Sequence, residues 1–150
     1  YERGVKASFA QWGAAGAETY LESEKKPADY IDAFKAENNV KAVNTLTPKW
    51  DDAASNEDKL GRIITQKWLA MYPEGGEAWA EQRRTGYPKL FPVLVNQSEG
   101  TVDTGIGPRR LNFFVGIKTT NPEQYTQLVN ALGGADNCGT RLWWDTGRNF

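Results

Sequence analysis

Histidine is missing from this sequence altogether, and cysteine occurs once, at position 138. Without histidine there is no Ser-His-Asp or Cys-His arrangement and no imidazole metal ligand. A single thiol builds neither a thiolate zinc site nor an internal disulfide, and it says little about redox compartment. Neither a P-loop nor a GxGxxG fingerprint occurs. No apolar run approaches the roughly 20 residues needed to cross a bilayer. No charged-then-apolar leader stands at the start. A block of Lys or Arg is missing too: 18 basic against 19 acidic residues leave a net charge of -1. That balance argues against nucleic acid or an anionic membrane surface as the main partner. Asp103-Thr104-Gly105 and Asp136-Asn137-Cys138-Gly139 lack the ligand count of a calcium loop. No cofactor or metal is expected.

What is present points to one helical core. With 150 residues, 39% of them hydrophobic, the chain is long enough to bury roughly 68–70% of its unfolded surface as a single domain. The organising stretch is Ile63 to Leu90, which reads as a tight helix-turn-helix. Ser55 is a favourable N-cap with Asp58 three residues on. Leu60, Ile63, Ile64, Trp68 and Met71 then share one helical face, with Lys59, Arg62, Gln66 and Lys67 mostly on the other. Pro73 ends that helix. The spacing predicts a second helix over 76–85 that turns Trp79 and Ala80 inward and pairs Glu81 with Arg84 one turn apart. Gly86 supplies a left-handed stop and Pro88 prevents resumption. A short connection makes the two helices antiparallel neighbours, with Trp68 and Trp79 as core residues.

Elsewhere the pattern is weaker. Val5, Phe9 and Trp12 fall at i, i+4 and i+7 from the first residues onward, and residue 1 is Tyr with no capping approach before it. The expectation is a piece of a longer protein, the alternative a trimmed small domain. Tyr20 and Leu21 belong to a second short helix, and Pro27 opens a third with Tyr30, Ile31 and Phe34 on one face. The span 38–54 is a connecting segment packed by Val40, Val43, Leu46 and Trp50. Trp50, beside Asp51 and Asp52, has two readings: a ring that stacks on a sugar, or a tryptophan pinning a long loop to the core.

After Pro88, Lys89 to Val95 is a β-prone run interrupted by Pro92, so any strand is short or at an edge. The span 96–108 is a polar, Gly-rich surface loop. Its Asn96-Gln97-Ser98 sequon is too short a signal to use. Arg109 and Arg110 suit carboxylates or helix C-termini as a structural clamp rather than a phosphate site. Asn121 caps a last helix with Pro122 in its first turn, Gln124 closing a capping box, Tyr125, Leu128, Val129 and Leu132 on its face, and Gly133 at its end. Arg141 to Asp145, RLWWD, is an extended aromatic closure expected to dock back onto the helices.

Catalysis would have to rest on Glu74, Glu77 and Glu81 near the helix break, because glycoside hydrolysis needs only two carboxylates. First-turn acids at a helix start and a solvated face account for them better. The sequence is therefore read as non-enzymatic.

The ordered pieces QKWLAMYPEGGEAWAEQRRTGYPKL, Gly107-Pro108-Arg109-Arg110-Leu111, Asn121-Pro122-Glu123-Gln124-Tyr125 and Arg141-Leu142-Trp143-Trp144-Asp145 resemble the C-terminal portion of the SusD/RagB family. The likeness runs from Gly4-Val5-Lys6-Ala7-Ser8-Phe9 to Asp145. It implies a mainly α fold, with tetratricopeptide-like helix pairs, long loops and little or no β structure. It further implies a surface-exposed outer-membrane lipoprotein of Bacteroidetes that captures a glycan or another nutrient and sits on a SusC-like TonB-dependent transporter. Membrane attachment would come only through a lipid anchor outside this chain. Within the motif, Trp68, Trp79, Arg83, Arg84, Tyr87, Pro88, Arg109, Arg110, Trp143 and Trp144 match positions that look structural, and Trp50 is the only sugar-contact candidate. The expected role is scaffold, packed against an upstream part of the same protein. A free-standing helical protein-interaction module is the alternative. If helices are missing, some of Val5, Phe9, Trp12, Tyr20 and Phe34 should lie on an exposed apolar surface.

Overall fold

The computed structural model describes residues 1–147. The chain divides into two compact units, Tyr1–Phe91 and Pro92–Phe150.

The first unit holds four helices: α1 (Glu2–Gln11), α2 (Ala17–Leu21), α3 (Asn56–Ala70) and α4 (Gly75–Thr85). α1 starts without a side-chain cap; the carbonyl of Tyr1 accepts the Gly4 and Val5 amides. Val5, Ala17 and Leu21 are buried where α1 meets α2. The Tyr20 hydroxyl then donates to Gln66 Oε1 at 3.0 Å, tying α2 to α3.

The helix expected from Pro27 does not form. The backbone runs extended to an antiparallel bridge between Tyr30 and Val40, followed by a 3₁₀ turn over Ala36–Asn38. The cause is local. Asp32 Oδ1 accepts the amides of Phe34 and Lys35, each at 2.8 Å, and Asn39 Oδ1 accepts that of Asp32. Short polar side chains thus take the amides that a helix would need for itself. Phe34 is left 96% exposed and Ile31 is exposed as well.

The span 38–54 is a connection, as expected, although Val43 is exposed rather than packed. Leu46 presses on α3 at Gly61. A Cβ built there would lie 2.5 Å from Leu46 Cδ1 and 2.9 Å from Tyr87 Cε1, so this approach requires glycine.

α3 begins as the sequence predicts: Ser55 Oγ accepts the Asp58 amide at 3.0 Å. Its buried stripe is centred on Gly61 and Ile64, with Trp68 and Met71 half-buried. Leu60 and Ile63, expected on that face, are exposed. α4 starts one residue before the expected Gly76 and buries Ala78, Glu81 and Thr85, while Trp79 and Ala80 are only half-buried. The inward stripe is therefore rotated by about one residue, about 100° of helix. Gly86, at φ +74°, ends α4 in the left-handed region, as glycine does at such stops.

The second unit contains α5 (Ile117–Thr120) and α6 (Pro122–Leu132) joined by irregular segments. Asn121 Oδ1 accepts the Gln124 amide at 3.0 Å. The reciprocal bond of the capping box goes from Asn121 Nδ2 to Gln124 Oε1, not from the backbone. Tyr125, Leu128, Val129 and Leu132 form the half-buried face, and Gly133 ends the helix at φ +73°. Among the described residues there is no strand. The β-prone run 89–95 stays irregular, consistent with Pro92 having no amide to donate. In the loop beyond it, Asn96 Nδ2 donates to the Val102 carbonyl and to Thr104 Oγ1, so the sequon amide is held inside its own loop.

Candidate functional site

Trp50 lies half-buried with the Tyr1 ring stacked on it, centroids 4.9 Å apart and planes 30° from parallel. Its indole N–H donates to Asp52 Oδ1 at 2.8 Å. The Tyr1 hydroxyl in turn donates to the Pro48 carbonyl. Burial first, and the neighbouring Tyr20 second, push the Tyr1 hydroxyl pKa up to about 12, so it stays a donor at neutral pH. One indole face and the indole N–H are therefore engaged inside the chain. This geometry favours the pinning role over the sugar-stacking one. Tyr1 was not among the sequence candidates, since a terminal tyrosine carries no periodic signal.

The helix-pair motif is held together by charge as well as apolar packing. Glu81 of α4 receives Arg84 Nη2 at 2.9 Å and Lys67 Nζ of α3 at 3.1 Å. The hydrogen bond from Arg84 is the main cause that holds the Glu81 carboxyl below its ordinary range, outweighing burial. The Arg83 guanidinium covers the Trp79 ring, 3.8 Å from its centroid. Tyr87 is half-buried and Pro88 is buried at the exit of α4. Glu74, the N-cap of α4, and Glu77 in its first turn are both exposed. A general acid near neutrality needs a raised carboxyl pKa, and Glu81 has the opposite.

Among the described residues, Arg109 and Arg110 are the most deeply buried cations. Arg109 Nε donates to Asp145 Oδ2 at 2.7 Å, with 1% and 5% of the two side chains exposed. Arg141 approaches the other Asp145 oxygen at 2.8 Å. Arg110 Nη1 donates to Asp136 Oδ1 at 2.7 Å, and Asp136 also accepts the Phe113 amide and the Tyr125 hydroxyl. Burial alone would raise both carboxyls. The Arg109, Gly147 and Arg141 donors at Asp145, and the Arg110, Phe113 and Tyr125 donors at Asp136, overcome it and hold both below the usual range. This is the carboxylate clamp the sequence suggested. Its partners carry no comparable signal in the sequence: Asp145 sits inside the RLWWD motif and Asp136 in the Asp136-Asn137-Cys138-Gly139 loop.

Trp143 does not dock back onto helices as expected. Trp143 is 94% exposed and Trp144 is 41% exposed. Asp145 is the docking residue: its carboxylate is gripped by Arg109 and Arg141, and its amide closes a turn onto the Leu142 carbonyl at 2.8 Å. That turn leaves the Trp143 indole exposed.

The second unit also has an open cleft of about 700 Å³ whose lining includes Asn96, Asp103, Thr104, Asn137 and Thr140. Among the described residues no aromatic ring lines it. Several of its polar groups already bond within the loop, as Asn137 Oδ1 does in accepting the Gly139 and Thr140 amides. Among the described residues no cluster of His, Cys, Asp or Glu could hold a metal ion. Nor is any described helix long and apolar enough to cross a membrane.

These features define a helix-pair scaffold with long loops fastened by buried ion pairs. The SusD-like family, described as Susd and RagB outer membrane lipoprotein, matches residues 1–145. A SusD homologue from Bacteroides vulgatus is 58% identical, with a TM-score of 0.88 over 100% of this chain and 30% of its own. A chitin-binding SusD homologue from Flavobacterium johnsoniae is 53% identical, with a TM-score of 0.90 over 100% of this chain and 32% of its own. A SusD homologue from Bacteroides thetaiotaomicron is 42% identical, with a TM-score of 0.87 over 97% and 32%. No match was found among curated proteins. The chain belongs to the SusD-like family and has its helical, tetratricopeptide-like fold. It spans about a third of the length of these relatives.

Proposed function

We propose that this chain is the C-terminal scaffold portion of a non-enzymatic glycan-binding component of a SusCD-type outer-membrane uptake system. The observation that carries the scaffold role is the engagement of Trp50. Its ring is stacked by Tyr1 and its N–H is held by Asp52, so the one sugar-contact candidate of the sequence serves the fold. The buried arginine clamps are likewise turned inward, on carboxylates of the same chain. Family membership and the printed chitin binding of the Flavobacterium johnsoniae relative support a glycan as the ligand class. On this reading Trp50 and the arginine clamps are not part of the sugar platform.

The test is a chimaera in which this chain replaces the aligned portion of the chitin-binding relative. Soluble chitin oligosaccharides should bind it with the affinity of the parent, and Trp50→Ala should leave that affinity within about twofold while lowering thermal stability. A Trp50→Ala variant that stays folded but loses sugar binding at least about tenfold, close to 1.4 kcal/mol, would overturn the scaffold role.

A further inference from the structure

Spacing puts Arg62 on the face of α3 opposite the apolar stripe, yet it is half-buried. Its Nε and Nη1 are closed to solvent and have no hydrogen-bond partner among the described residues. Nor, among those residues, does any carboxylate lie within ion-pair distance of it. A guanidinium does not lose its proton in a protein. The chain therefore leaves this charge without a counter-charge, in surroundings that screen it less than water does. At the Tyr1 hydroxyl, pushed up chiefly by burial, the same charge acts in the downward direction.

Arg62 lines a cleft of about 200 Å³ within the first unit, together with Lys25, Lys26, Asn44 and Thr47. Lys25 and Lys26 are exposed and enter no ion pair among the described residues. The acids that precede them in the chain, Glu22 and Glu24, face Lys49 instead, at 4.0 and 2.7 Å. Asn44 commits its Oδ1 to the Leu46 amide at 3.0 Å, which leaves its side-chain N–H groups as donors. Among the described residues, three cations and no carboxylate line this cleft. A concave site lined by charge of one sign concentrates the opposite ion.

We propose that this cleft binds one compact oxyanion, a carboxylate or sulfate group, with half-buried Arg62 supplying the central charge and exposed Lys25 and Lys26 drawing the anion in. Size limits the occupant: the cleft lies below the roughly 300–1,000 Å³ of pockets for drug-sized molecules, so the anion is free or is carried on a single sugar residue. A neutral sugar would leave all three cations uncompensated. The inference stands on charge and burial in the first unit and goes beyond the glycan reading, which it does not need.

Titration calorimetry of the chain and of the chimaera described above tests it, with inorganic sulfate, glucuronate and glucose as probes. The buffer is held at about 0.01 M ionic strength, where screening is weak, with sodium chloride of matched strength as the blank. Sulfate and glucuronate should bind saturably at millimolar concentration and glucose should not. Tighter binding of glucuronate places the oxyanion on a sugar; tighter binding of sulfate makes it a free ion. Arg62→Gln should weaken the anion at least about tenfold, as loss of a hydrogen-bonded charge does, and Arg62→Lys should restore part of the loss. Should Arg62→Gln fail to fold, Lys25→Gln and Lys26→Gln, both at exposed positions, should each weaken binding about two- to fivefold. Saturable sulfate should also raise the melting temperature of the parent more than that of Arg62→Gln. No saturable anion binding, equal binding of glucose, or affinity indifferent to these substitutions would overturn the proposal. Binding by the chain alone that vanishes in the chimaera would overturn it in favour of a counter-charge from the rest of the protein. Chitin oligosaccharides are neutral and should not compete with sulfate, so their binding to the chimaera tests the glycan reading separately.

Discussion

The two units of this chain are held together by different chemistry. In the first, Gly61 and Ile64 of α3 and Ala78 of α4 are buried, and Lys67 of α3 pairs with Glu81 of α4. In the second, short α5 and capped α6 offer only half-buried apolar faces, and the buried groups are Arg109, Arg110 and the carboxylates they grip. A segment rich in turns has few amides committed to helices and little continuous apolar surface. Buried charge fixes its geometry instead, by direction rather than by area. The lesson concerns motif residues: an arginine pair in a recognisable motif marks a fold constraint when its partners are buried carboxylates of the same unit.

Breaking that contrast should begin with Asp145. Asp145→Ala removes the carboxylate that Arg109 and Arg141 share, and breaking a buried ion pair from one side costs about 3–5 kcal/mol. Hydrogen exchange should show the loss in the span 101–147, where Cys138, Arg109 and Arg110 share backbone bonds. The corresponding probe of the first unit is Gly61→Ala. Overpacking against Leu46 and Tyr87 should cost about 1–3 kcal/mol in chemical denaturation. Leu46→Ala in the same chain should recover part of that loss by opening room for the new methyl group.

A pH scan sharpens the comparison with the smallest effect near neutrality. Asp136 and Asp145 have folded pKa values below the unfolded reference of about 3.9. Their contribution is therefore complete above about pH 5 and lost as pH falls through the folded values. Tyr1 is shifted the other way, up to about 12. Its contribution to the first unit is complete below the unfolded value of about 10 and is lost as pH rises toward 12. Acid should thus loosen the second unit through its buried aspartates, while alkali acts on the first. Exchange measured at pH 3.5, 7 and 11 checks both directions.

The elements legible in the sequence were those whose ends are written by single residues. Ser55, Gly86, Asn121 and Gly133 each act through one local bond or one backbone conformation, so their roles can be read without knowing any neighbour. The failures share a different cause. Asp32 and Asn39 removed the Pro27 helix through hydrogen bonds whose partners depend on how the chain turns back. Aromatic content drew attention to Trp143 and Trp144, while the shorter Asp145 between the arginines does the docking. For the candidate site, the arginine clamp was legible as a clamp but not its partners, which lie 26 and 36 positions away. Trp50 remained ambiguous until the Tyr1 ring was found on its face.

The central claim is that the residues by which this chain is recognised build a scaffold and do not themselves hold sugar. Isothermal titration of the 150-residue chain with soluble chitin oligosaccharides tests it most directly. The account predicts no saturable heat at millimolar sugar. A saturable isotherm that disappears in Trp50→Ala, with the variant still folded by circular dichroism, would contradict it.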